Sequence, residues 1–315
     1  MSSAPPSFAW PAPAVWALFG TFVGSFLNVA IHRYSIEGQS VWFPRRSSCP
    51  RCGHALAWYE NLPILSWLAL RARCRSCRAP ISWRYPLVEA LTGVLWWLAA
   101  TSAGPGNAEP EFALILLRVT VFSGLVVATF VDFDCFEIPD SISLGGMVLA
   151  PLCALLIPAL HADSPLARQF SDDPSAVGPL GALAACLAGM ATGGGVLLAV
   201  AWLGTRTFGR DAMGLGDVKL LAAGGGFIGA GGVLLALMVA SVLASVAGVA
   251  NIARFFCLVR SRARERGGRR GALEALRVAR LAGRYLPFGP YLAAGIGIVL
   301  LYWNDVVTLV LRGRG

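Results

Sequence analysis

Three short stretches of this chain carry residues able to do chemistry. VDFDCFEIPD at 131–140 holds Asp132, Asp134, Glu137 and Asp140 with no basic residue among them. GLGDVKL at 214–220 sets another carboxylate, Asp217, behind Gly214 and Gly216 and beside Lys219, the only lysine in 315 residues. CPRC at 49–52 and CRSC at 74–77 form two C-x2-C pairs separated by 21 residues. Four thiolates at this spacing, from Cys49, Cys52, Cys74 and Cys77, suit one tetrahedral structural zinc. The competing reading is a pair of redox disulfides or four free thiols. His54 lies close by, but four cysteines already complete the shell.

The carboxylates admit a plain reading as solvated residues at the edge of an apolar segment, with Asp140 capping a helix after Pro139. That reading suits Asp134, Glu137 and Asp140. It suits Asp132 and Asp217 less well. Asp217 opens an otherwise apolar helix. Gly214 and Gly216 free the backbone before it for conformations that a side chain would forbid, and they let another chain approach. Two carboxylates held side by side cannot both ionise cheaply, so the pair shares a proton near neutral pH. One member can then act as base toward water and the other as acid, which is aspartyl-protease chemistry. Asp132 and Asp134 cannot both serve, since residues two apart lie about 200° apart around a helix. The acidic run at 131–140 would also attract a basic peptide.

The elements that must position these residues are apolar helices. The chain is 56% hydrophobic, has a mean hydropathy of +0.65, and is 14% charged, against about 25% for a soluble domain. Several runs reach the roughly 20 residues that cross a bilayer as helix. The fold class expected is therefore an all-α polytopic membrane protein in a lipid bilayer, with about eight transmembrane helices and a cytoplasmic zinc-binding loop domain. The helices fall near 12–32, 86–103, 111–131, 141–160, 179–204, 217–228, 232–258 and 287–311, with GAGG at 229–232 as a turn. The formal charge of +9 does not indicate nucleic acid. Of 26 Lys and Arg, nine lie between Arg33 and Arg84 and nine between Arg260 and Arg284. Two basic loops mark the cytoplasmic side, which places both termini on the opposite side, the periplasm if the membrane is a bacterial inner membrane. In this threading Asp132 and Asp217 emerge at one face and one depth. The triple glycines at 193–195 and 224–226 read as close helix packing.

The motifs resemble one family. G-x-G-D at 214–217 has the pattern of the GxGD intramembrane aspartyl proteases. DFDCFEIPD followed by GLGDVKLLAAGGGFIG resembles the bacterial type IV prepilin peptidases, also called leader peptidase/N-methyltransferases. In that family one catalytic Asp stands eight residues before the Asp of a Leu/Ile-Pro-Asp tripeptide, matched here by Asp132 before Asp140. The other is the G-x-G-D aspartate, here Asp217. GSFLNVAIHR, WYENLPILSWL and SWRYPLVEALTG at 24–33, 58–68 and 82–93 resemble the family's N-terminal part. After His32-Arg33 the family often continues Leu-Pro, whereas this chain has Tyr34-Ser35.

The resemblance implies an inner-membrane enzyme with two activities. It would cut the leader of prepilins and pseudopilins after a Gly, then methylate the exposed residue, often Phe, with S-adenosylmethionine. Residues 1–103 would hold the zinc loop (33–85) and the methyltransferase part, and 104–315 the peptidase. No Gly-rich turn of the dinucleotide-binding type betrays a cofactor site. Glu60 and Glu89 are candidates for it, the alternative being that they pair with nearby arginines. Two rivals belong to other classes. A transporter would place acids near the midplane, often within internal repeats. An assembly protein would need neither aspartate.

Overall fold

The computed structural model describes residues 12–36, 47–102, 108–162, 164–170, 177–209, 213–265 and 286–312. Among them every extended element is helical, and no strand forms. The helices are α1 (Pro13–Tyr34), α2 (Leu65–Ala69), α3 (Arg84–Thr101), α4 (Ala108–Cys135), α5 (Asp140–Leu156), α6 (Pro165–Gln169), α7 (Pro179–Phe208), α8 (Leu215–Glu265) and α9 (Gly289–Arg312). Short 3-10 turns cover Trp58–Asn61 and Pro158–His161. Proline opens α1, α6 and α7, where its missing N–H has no partner to lose. Gly209 closes α7 in the left-handed conformation, φ 68°.

Four helical segments are long and apolar enough to cross a membrane: Pro13–Tyr34, Phe112–Cys135, Pro179–Thr207 and Leu215–Ser261. Asp140–Leu156 and Gly289–Trp303 are shorter apolar helices. The outer faces suit lipid. On α1, Leu18, Phe19, Phe22 and Phe26 are exposed, while Gly20, Gly24, Leu27 and Ile31 turn inward. A continuous apolar surface of this kind is foreign to a soluble monomer.

Small residues set the helix distances. A methyl group on Gly20 would lie 2.9 Å from Gly93 Cα, and one on Gly24 would lie 2.7 Å from Glu89 Cα, so α1 and α3 cross backbone to backbone. Of the triple glycines, Gly193, Gly224, Gly225 and Gly226 lie at close helix contacts, whereas Gly195 has nothing within 4 Å of an added methyl. A methyl on Gly189 would fall on the Gly225 carbonyl oxygen, and one on Gly225 on the Gly189 carbonyl oxygen.

Helix α8 reverses. Gly229 has φ 70° and ψ 171°, outside any helix. A methyl on Gly225 would lie 2.8 Å from Val233 Cγ2. Eight residues of unbroken helix would separate those positions by about 12 Å. The limb 215–228 and the limb 230–265 therefore fold back on each other. Contacts to α9 agree: Gly224 meets Ile296, then Gly232 meets Val299 and Gly295 meets Ala236. The turn expected at 229–232 is made at Gly229 alone, where a left-handed φ favours glycine.

One boundary differs from the sequence reading. Helix α4 continues to Cys135 rather than stopping near 131, so Asp132 and Asp134 belong to its last turn. Leu27, Ile31 and Val88 pack with Val126, Val127 and Val131, joining α1 and α3 to that end of α4.

Replacing Gly225 by Ala should destabilise the α7–α8 packing by about 1–3 kcal/mol, because an over-packed methyl must push backbone aside. Gly145, in α5, has nothing within 4 Å of such a methyl. Gly145→Ala should be neutral or stabilising by up to about 1 kcal/mol. Thermal unfolding of both variants in detergent measures the difference, and equal melting temperatures would contradict the packing.

Candidate active site

The end of α4 and the starts of α5 and α8 enclose a cavity of about 610 Å³. Asp132 and Asp217 both line it, with Gly214, Gly216, Asp140 and Lys219. Two carboxylates 85 positions apart in sequence thus meet in one space, near enough for their charges to interact. Asp132 is buried, 5% exposed, and its Oδ2 has no hydrogen-bond partner among the described residues. The chain turns sharply after it. Phe136 sits at φ 57°, its N–H donating to the Asp132 carbonyl at 3.0 Å, and Pro139 precedes α5.

The other acids have partners. Arg84 Nη1 donates to Asp134 Oδ1 at 2.8 Å, and Ser35 Oγ to Asp134 Oδ2 at 3.1 Å. Lys219 Nζ donates to Asp140 Oδ1 at 2.7 Å. Asp140 does not cap α5: Pro139 holds that position, and no side-chain cap bond forms. The lysine of GLGDVKL instead ties the start of α8 to the start of α5. Only Glu137 of the acidic run is exposed at the cavity with no partner among the described residues. The run as a uniform bait for basic peptides is thereby corrected, since two of its acids already hold cations.

Of the two readings of the glycines before Asp217, backbone conformation and room, only the first is overturned. Neither Gly214 nor Gly216 has a positive φ. A methyl on Gly214 would meet nothing nearer than 4.0 Å, and one on Gly216 would lie 3.3 Å from Ile138 Cβ. Space, not backbone conformation, is what Gly216 supplies. Gly289 escaped the sequence reading. It opens α9, its N–H faces the Asp132 carboxylate, and a methyl there would lie 2.5 Å from Asp132 Oδ2. Tyr34 also lines the cavity, and its hydroxyl shares a 2.7 Å hydrogen bond with Ser141. Tyr34, one of the two residues at which the chain departs from the family's usual pattern, thus touches the site directly.

The four cysteines form a second centre. Their sulfurs lie within 4.8 Å of one another. Cys49 and Cys77 are 3.9 Å apart, and Cys52 and Cys74 4.0 Å. Zinc–sulfur bonds of about 2.3 Å set tetrahedral sulfur–sulfur edges of about 3.8 Å, so the donor set fits the ion. All eight cysteines are free, against the disulfide reading. Each C-x2-C makes the same knuckle. Cys49 N–H donates to His54 O at 2.9 Å and Cys74 N–H to Ala79 O at 2.8 Å, and the chain turns left-handed at Gly53 and Arg78. Backbone N–H groups of Arg51 and Cys52 lower the pKa of the Cys49 thiol, while at Cys77 the Ala79 N–H is outweighed by burial and the neighbouring thiols, which raise it. His54 is not a ligand: its Nε2 lies 3.2 Å from Glu60 Oε2.

The comparisons with known proteins bear on both centres. Residues 18–103 match the Bacterial Peptidase A24 N-terminal domain, and residues 119–249 match the Type IV leader peptidase family. A "Prepilin leader peptidase/N-methyltransferase" of Aeromonas hydrophila is 33% identical over 92% of this chain and 90% of its own length. This chain belongs to the type IV leader peptidase family. Proteins of the same name from Myxococcus xanthus and Burkholderia pseudomallei are 39% and 31% identical, over 78% and 94% of this chain. The match spans 64% of the Myxococcus protein and 87% of the Burkholderia one. No solved structure matches.

Glu60 and Glu89 hold the cysteine-bearing subdomain in place. Glu60 Oε2 accepts from Ala57 N–H at 2.8 Å, and Arg75 Nη1 lies 4.0 Å from Oε1, too far for a hydrogen bond. Its carboxyl is kept below the ordinary carboxylate range, first by the Ala57 N–H, with His54 and Arg75 adding. Glu89 Oε2 accepts from Ile64 N–H at 2.7 Å. It fastens the loop to α3.

Purified protein should hold about one zinc per chain, measured by elemental analysis. Cys52→Ser should lose that zinc and speed proteolysis between residues 47 and 83. Full resistance to protease in the metal-free variant would show that the fold does not depend on the ion.

Proposed function

We propose that this chain cleaves the leader of type IV prepilins and related pseudopilins with Asp132 and Asp217 as an aspartyl pair. The observation that carries this reading is their convergence on one cavity at helix ends, with Asp132 Oδ2 buried and unpartnered. A shared proton would let one carboxylate activate water while the other protonates the scissile carbonyl or the leaving amine. Gly214 and Gly216 border the cavity and leave room for a substrate backbone. The printed names of the relatives support both the leader peptidase and the N-methyltransferase reading. A transporter is disfavoured, because Asp217 lies in the first turn of α8 and Asp132 in the last turn of α4, not at mid-helix.

The reading extends to topology and to the second activity. Eight spans, with 215–228 and 230–258 counted separately, put the zinc loop and the aspartates at the cytoplasmic face of the inner membrane and both termini in the periplasm. The part up to residue 103 would carry methyl transfer and the part from 104 the peptidase. S-adenosylmethionine would supply the methyl group to the new N-terminal amine.

Asp132→Asn and Asp217→Asn should each lower leader cleavage at least about a hundredfold, the scale of lost acid–base catalysis, while insertion and zinc content stay intact. Asp134→Asn should keep cleavage. The measurement is mass spectrometry of prepilin incubated with purified enzyme, with and without S-adenosylmethionine. Normal cleavage by either of the first two variants would end the aspartyl assignment. Gly289→Ala should also slow cleavage, because its methyl would press on Asp132; unchanged rates would show that the contact is immaterial.

A further inference from the structure

The zinc subdomain is tethered at both ends to the helix pair that carries it. Helix α1 ends at Tyr34, α3 begins at Arg84, and the two run together along Gly20, Gly24 and Gly93. With α1 in the membrane, the subdomain cannot leave the bilayer surface. Trp83, 68% exposed at the foot of α3, has the amphipathic character of a residue at the headgroup level.

Two chemistries adjoin on the surface of the subdomain, where the end of α2 runs into the wall of a cleft. A cleft of about 550 Å³ is lined by Arg71, Arg73, Arg75 and Arg78. Arg75 is engaged: its guanidinium lies 5.5 Å from the Tyr59 ring centre, and Nη1 donates to Tyr59 Oη at 2.6 Å. Arg71, Arg73 and Arg78 are exposed, and none of them meets an acid among the described residues. Beside this cleft stands α2, whose end leads through Leu70 into Arg71. Leu65 and Leu68, one turn apart, are 65% and 58% exposed. They are not a frayed core, because Trp67 between them turns inward and donates from Nε1 to the Ile81 carbonyl at 3.2 Å.

We propose that this surface docks on an anionic lipid leaflet, with Leu65 and Leu68 in the headgroup–acyl boundary and the Arg71–Arg73–Arg78 cleft around a phospholipid phosphate. Guanidinium groups present paired donors that match phosphate oxygens. The apolar pair distinguishes a membrane from a free anion, which would have no use for exposed leucines. The tether supplies the proximity: the leaflet is the one partner of this charge that the subdomain cannot avoid. Docking would hold the zinc loop at a fixed height above the site where α4 and α8 emerge. It does not depend on the chemistry assigned to Asp132 and Asp217.

Full-length protein in nanodiscs of phosphatidylcholine alone, or of phosphatidylcholine with phosphatidylglycerol, tests this by hydrogen–deuterium exchange across residues 58–83. Phosphatidylglycerol should slow exchange there, with a change of about fivefold per arginine in the docking equilibrium. High salt should remove the protection by screening. The triple variant Arg71→Gln, Arg73→Gln, Arg78→Gln should exchange alike in both discs with its zinc retained. The corresponding Arg→Lys triple variant, which keeps the charge but not the paired donors, should lose part of the protection, and Leu65→Gln with Leu68→Gln should weaken it. The wild-type comparison and its salt dependence decide the matter even if a variant unfolds. Equal wild-type exchange in the two discs overturns the proposal. So does equal protection from soluble glycerol phosphate added to phosphatidylcholine discs, which would mark a free-anion site.

Discussion

Burying a carboxylate at the rim of an apolar helix bundle is the constraint around which the rest is arranged. An ion moved out of water costs several kcal/mol unless dipoles or opposite charges replace its hydration. Asp132 is buried with one oxygen unpartnered, and Asp217 stands half-buried in the same cavity. The starts of α5, α8 and α9 all approach this place, through Asp140, Leu215 and Gly289. Helix N-termini carry partial positive charge, so three of them soften the cost of the pair. The two flanking ion pairs do a different job. Lys219 and Asp140 are 34% and 61% exposed, so their attraction contributes at most about 1 kcal/mol. What they add is registry, fixing the α8 aspartate relative to the turn that follows the α4 aspartate.

Registry of that kind needs stiff supports, and glycine supplies them through contact. The first limb of α8 lies against α7 at Gly189 and Gly193, against α9 at Gly224, and against α5 at Gly226, where an added methyl would sit 2.7 Å from Ala150 Cβ. In a membrane the hydrophobic effect does little to press helices together, so close backbone approach carries the packing. The reversal at Gly229 completes the arrangement. It frees a short limb, 215–228, to be enclosed on several sides, while the longer limb presents Met238, Val242, Val246 and Val249 outward.

Residue types at fixed spacing made both centres legible. The four cysteines are local pairs whose chemistry leaves few alternatives, and the sulfurs lie where a metal would gather them. The aspartates were legible because the basic loops fixed which helix ends share a face. Through-space neighbours were not. Nothing in the sequence near Gly289 signals that its missing side chain leaves room for a carboxylate 157 positions earlier. Gly214 and Gly216 show why glycine is ambiguous in sequence: absence of a side chain can serve conformation or proximity, and only coordinates separate the two. The end of α4 was misread because acids look like loop. In the structure Arg84 compensates Asp134 and lets the helix run on for another turn.

That compensation reshapes the electrostatics of substrate approach. Taken as sequence, 131–140 is a block of like charge that would pull in any basic segment. Folded, Asp134 is committed to Arg84 and Asp140 to Lys219, and both cations come from distant parts of the chain. The acids around the cavity still outnumber those cations, with Glu137, Asp132 and Asp217 left over, but they are no longer equivalent. Asp132 and Asp217 line the interior of the cavity, and Glu137 alone projects an uncompensated charge at the mouth. A basic segment arriving there would meet a single focused carboxylate rather than a diffuse acidic surface. Its attraction would thus be local and readily screened, since exposed charges lose their reach beyond about 8 Å at physiological ionic strength. Specific binding must then come chiefly from the shape of the cavity between α4, α5 and α8, where Tyr34, Phe136 and Ile138 form the walls.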